Sequence, residues 1–192
     1  MIQQLPAPHL IAAIVPCYTP EGDSTVILTT EGERITTGVR IRTILHRLAA
    51  SQAIDLSSLK KIIIDATDQS NLQPLPITPR LVLLPVKIRK PRIAGDITTG
   101  CINLHAITSI NSITESQSAG TLINLSGGAE VSILWSITTV RRHILLARLA
   151  TAQAPITTTQ GLRRNIVCNA DGLSPIARKL AEVIEELFLM TV

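Results

Sequence analysis

The sequence predicts an α+β fold: antiparallel strands and hairpins with a helical middle, and helices after the last hairpin. Three observations carry this. Aliphatic side chains supply nearly all of the 45% hydrophobic content, while Tyr18, Trp135 and Phe188 are the aromatic residues; a core of Ile, Leu and Val favours strands. The apolar period changes along the chain from two to about 3.6 and back. Neighbouring strands are separated by short turn-forming runs, which suits hairpins better than crossover connections. At 192 residues the chain is long enough for one ordinary domain.

In order, residues 10–15 and 25–30 read as short strands flanking the turn Pro20-Glu21-Gly22-Asp23, and residues 34–36 as a third strand after Glu31-Gly32-Glu33. From Val39, Ile41, Ile44, Leu45 and Leu48 fall at helical spacing, with Arg40, Arg42, His46 and Arg47 on other faces. A second helix is expected to start at Asp55 as cap and to run through Leu56, Leu59 and Ile63, with Lys60 and Lys61 outward. Residues 72–79 hold three prolines and read as a connector. Strands are expected at 81–87, 102–110, 121–125 and 130–134, the last two joined at Gly127-Gly128. Ser136 then caps a helix that turns Ile137, Val140, Ile144 and Ala147 inward. These elements make up an expected domain over residues 1–150. Residues 151–161 read as a linker and 162–192 as a helical tail. In the tail, Ser174 is the cap, Pro175 the first turn, and Ile176, Leu180, Val183, Ile184 and Leu187 an apolar stripe expected to join subunits.

Catalytic chemistry finds little support. No glycine-rich run has phosphate-loop spacing. Cys17, Cys101 and Cys168 are odd in number and widely spaced, which fits neither a disulfide framework nor a zinc pattern and suits a reducing compartment. Cys101 and His105 share a face of the expected strand but stand roughly 13 Å apart by strand rise, too far to act together. No basic partner is arranged around Asp65 and Asp68, and Glu185-Glu186 reads as a solvated helix face. The expectation is therefore a binding protein rather than an enzyme, with no catalytic residue, cofactor, metal or small-molecule substrate. The uncharged opening lacks a basic segment and is broken by Pro6, Pro8, Pro16 and Pro20, and residues 97–114 are too polar to span a bilayer. A cytoplasmic protein without membrane contact is expected.

Charge is what points to a partner. Residues 1–33 carry a net −4, residues 34–92 a net +8, and residues 93–192 balance to zero. A basic middle on a nearly neutral chain is an electrostatic footprint for a polyanion, with solvated surface as the bland alternative. Scarce aromatic residues argue against a reader of single strands, which stacks bases on rings. The densest run is Lys87-Ile88-Arg89-Lys90-Pro91-Arg92; Arg141-Arg142-His143 is the second. Candidate DNA-binding residues are Lys87, Arg89, Lys90, Arg92, Arg141 and Arg142, through phosphate contacts or an arginine in a narrowed minor groove.

The order of these segments, with the basic run Lys87-Ile88-Arg89-Lys90-Pro91, the strand segment 102–107 and the turn Ser126-Gly127-Gly128 in sequence, resembles over about three quarters of the chain the ComK family of bacterial competence transcription factors. An N-terminal strand pair and a helical middle are followed by an apolar strand and a basic loop with Arg-x-Pro, here Leu84-Pro85-Val86-Lys87-Ile88-Arg89-Lys90-Pro91. Ile102-Asn103-Leu104-His105-Ala106-Ile107 is similar to the family's Ile-Ser-x-x-His-Ile strand, and Ser126-Gly127-Gly128 takes the place of its Asn-Gly turn. The family's Cys-x-Trp after Arg-x-Pro is replaced by Ala94-Gly95-Asp96. The resemblance implies an activator that binds A·T-rich double-stranded DNA and self-associates on it as a homo-oligomer. A protein-interaction module on the same fold, without DNA binding, is the competing reading.

Overall fold

Strands β1 (Ile11–Thr19) and β2 (Gly22–Thr29) form the first hairpin, in register from Cys17↔Ser24 back to Ile14↔Ile27. The computed structural model describes residues 5–67, 70–115 and 118–153. β3 (Arg34–Thr37) pairs with β2, and two helices follow, α1 (Ile41–Ser51) and α2 (Leu56–Thr67). Asp55 caps α2 as expected: its carboxylate accepts from the amides of Ser57 at 3.3 Å and Ser58 at 2.8 Å. β4 (Leu75–Thr78), β5 (Leu81–Lys87) and β6 (Thr99–Asn103) complete one antiparallel sheet of order β3-β2-β1-β6-β5-β4. A second sheet, β7-β8-β9, is built from Ile107–Glu115, Ser118–Leu125 and Glu130–Ile133, and α3 (Ile137–Gln153) closes the described chain.

The six-stranded sheet is buried on both faces, which explains its run of aliphatic residues. Alternation sends Ile14, Ile27, Leu81, Leu83 and Cys101 to the face that carries α1 and α2. Val26, Leu28, Val82, Leu84 and Ile102 go to the other, against the second sheet and α3. Val140 and Ala147 of α3 are fully buried there, as the helical spacing predicts.

Two expectations are corrected. The proline-rich connector 72–79 contains a strand, β4 (Leu75–Thr78), paired with β5. β4 is the edge strand, where the missing N–H of Pro76 does little harm. Pro85 escapes the same penalty because β4 pairs no further along β5 than Leu83. The continuous strand read at 102–110 is broken at Asn103: a 3-10 turn, Leu104–Ala106, separates β6 from β7 and moves the chain from one sheet to the other. The cause is local. Asn103 Oδ1 accepts the His105 amide at 3.2 Å, which bends the backbone out of the ladder. Cys101 lies in the core and His105, on the 3-10 turn, is exposed, so the two do not share a strand face.

α3 runs to Gln153, into the stretch expected to be linker. The remainder of that linker, the tail helix and Cys168 lie outside the described residues.

A clasped basic loop as candidate nucleic-acid interface

Residues 88–98 join β5 to β6, and their charges are organised by one aromatic side chain. Tyr18, near the end of β1, lies beneath two guanidiniums: Arg89 at 3.7 Å and Arg92 at 4.1 Å from its ring centroid. Its hydroxyl donates to Asp96 Oδ2 at 2.5 Å. The same oxygen accepts the amides of Arg92 at 2.9 Å and Ile93 at 3.0 Å, closing the loop tip into a tight turn. A second carboxylate, Asp23, pairs with the Arg89 guanidinium and accepts the Ile97 amide at 3.2 Å. Arg89 Nε also donates to the Ile97 carbonyl at 2.9 Å.

The basic residues therefore divide. The Arg89 side chain is 13% exposed and spent on the clasp, so it pins the loop. Lys87 is exposed at the end of β5, and Lys90 and Arg92 are exposed on a loop whose backbone is held in place. The Leu134 amide donates to the Lys87 carbonyl at 2.9 Å, joining the end of β5 to the connection that leads into α3. Ser136 caps that helix, accepting the Thr139 amide at 3.3 Å. In its first turns Arg141 and Arg142 are exposed, but His143 is not. The imidazole stacks on Trp135 at 4.5 Å between centroids, with 20° between the planes. Burial, with help from the Arg142 charge, pushes its pKa below the ordinary 6.5, so the ring is neutral at neutral pH. The second cluster thus supplies two cations, not three.

The acids of the clasp were not singled out in the sequence. Asp96 stands four residues after Arg92, but Tyr18 and Asp23 come from a hairpin more than sixty residues away. Among the described residues no group of three His, Cys, Asp or Glu side chains could hold a metal ion, and no helix is long and apolar enough to cross a membrane. Burial pushes the Cys101 thiol up to about 12. The chain matches no protein-family model, no curated protein and no solved structure.

The clasp makes a pH prediction. The hydrogen bond from Tyr18 and those from the Ile93 and Arg92 amides hold the Asp96 carboxyl below its ordinary 3.8. A depressed carboxylate stabilises the fold above its unfolded value and loses that contribution as pH falls through the folded one. Amide exchange at Arg92 and Ile93 is expected to quicken as pH drops below about 4, relative to β1 and β5 amides after correction for intrinsic rates. Asp96→Ala should produce the same local opening at neutral pH with little change in melting temperature. Unchanged protection of those two amides in the variant would show that the loop is held by something else.

Proposed function

We propose that the protein is a DNA-binding regulator of the ComK type, whose ordered basic loop and α3 start contact the backbone of A·T-rich duplex DNA. The observation that supports this reading best is the clasp. A loop meant only to solubilise has no need of a half-buried arginine, a tyrosine and two carboxylates to fix the direction of its exposed cations. Lys87, Lys90, Arg92, Arg141 and Arg142 are the proposed contacts, and Arg89 positions the loop. Phosphate contacts set register and orientation. The A·T preference, self-association on DNA, an activating role and a cytoplasmic location come from the family resemblance and belong to the proposal.

The test is fluorescence anisotropy with A·T-rich and G·C-rich duplexes over a salt series. Each phosphate contact contributes about 0.9 to the slope of log affinity against log salt, so replacing all five residues by Ala should lower the slope by roughly 4.5 units. Arg89→Ala should weaken binding through loop disorder and leave the slope nearer to that of the wild type. Equal affinity and slope for the wild type and the five-residue variant would sink the assignment, as would a wild type that binds neither duplex.

A further inference from the structure

On the helical side of the six-stranded sheet, a cleft of about 490 Å³ lies among the start of α1, α2, residues 70–75 and the β5–β6 strands. That volume is in the range of small-molecule sites, roughly 300–1,000 Å³. Arg40, just before α1, Arg42 of α1 and Lys60 of α2 line it, and among the described residues no Asp or Glu does. All three side chains are exposed, and none has a carboxylate partner among the described residues. α1 also lacks a capping side chain and an acidic residue in its first turn, so its amides add to the positive potential. Three cations lining one cleft, with no counter-charge among the described residues, repel one another; a bound anion relieves them. Leu45, Leu75, Pro85 and Ile97 give the lining an apolar part beside polar residues such as Asn71 and Thr99, with the Cys101 thiol held neutral by burial.

We propose that this cleft binds a phosphate monoester with an aliphatic body. Two guanidinium forks and an ammonium suit a phosphate dianion better than a single carboxylate. Among the described residues no aromatic side chain lines the cleft for a nucleobase to stack on, whereas its apolar part matches a hydrocarbon chain. The proposal does not rest on DNA binding. A duplex presents a convex surface of phosphates and has no apolar part to meet Leu45, Leu75 and Ile97.

Calorimetric titration of the full chain with n-octyl phosphate, below its micellar concentration, tests this, with inorganic phosphate and octanoate as comparators. Saturable binding is expected for octyl phosphate, at least tenfold tighter than for either comparator. Removing a charge-assisted contact weakens binding by roughly tenfold or more, so Arg40→Ala with Arg42→Ala should cost about a hundredfold and Lys60→Ala about tenfold. Because these side chains are exposed, melting temperatures should stay close to the wild type, separating lost binding from lost structure. No saturable binding, wild-type affinity in the arginine double variant, or affinity no greater than for inorganic phosphate overturns the proposal. Displacement of octyl phosphate by a short duplex would assign the cleft to nucleic acid and overturn it equally.

Discussion

Asn103→Ala is expected to destabilise the protein by about 4 kcal/mol, a drop of about 10 °C in melting temperature for a chain of this size. Asn103 is 2% exposed and every polar group of its amide is engaged. Nδ2 donates to the carbonyls of Ile11 at 2.9 Å and Arg80 at 3.0 Å, tying β6 to β1 and to the β4–β5 turn. Oδ1 accepts the amides of Val82 at 3.3 Å and His105 at 3.2 Å, tying it to β5 and to the 3-10 turn that changes sheets. Alanine leaves several backbone groups unpaired in the interior, at about 1–3 kcal/mol each before relaxation. Asn103→Asp keeps the acceptor and loses the donor, so it points negative charge at two carbonyls. Burial of that carboxyl raises its pKa, which makes the folded state weakest near neutral pH and lets it recover as pH falls toward 4. An alanine variant that melts within 2 °C of the wild type would remove Asn103 from the centre of the fold.

That residue also shows where sequence reading stops. The strands β1, β2, β5, β8 and β9 and all three described helices were legible because each buries a face with its own period. β4 was hidden by its prolines, which are harmless only on an edge, and edges are a property of sheet order rather than of local sequence. The break at Asn103 was hidden by the apolar residues on either side, Ile102 and Leu104, which continue a strand pattern. The bend itself is a contact two residues along, but the side chain that makes it is held in place by bonds to groups up to 92 residues away. The candidate interface divides in the same way. Its cations were visible as a dense run, but Arg89 could be told from its neighbours only once Tyr18 and Asp23 had been brought to it. Arg40, Arg42 and Lys60 were read as outward faces of two separate helices; the packing of those helices brings them to one cleft.

Gly127→Ala is the second large effect, expected to cost about 2–5 kcal/mol. The β8–β9 turn was recognisable as a Gly-Gly hairpin, yet its more important role is to dock on the turn between β2 and β3. Gly127 has φ +89°, which a side chain resists. A Cβ there would stand 2.6 Å from the Gly32 nitrogen, 2.8 Å from the Thr29 oxygen and 2.9 Å from the Thr30 oxygen, all of them backbone atoms. None can rotate aside, so the turn has to lift and pull the second sheet from the first. Gly128 is the internal control: its φ is +78°, but a Cβ would meet open space. Gly128→Ala should therefore show only the conformational cost, about 1 kcal/mol, or 2–4 °C of melting temperature. The same measurement on Gly127→Ala should show a loss at least twice as large. Equal losses in the two variants would mean that the close approach of the turns contributes nothing and that left-handed backbone strain accounts for both. A larger loss at Gly127 locates the join between the two sheets at this backbone contact, next to the strand hairpin that also carries Tyr18 and Asp23.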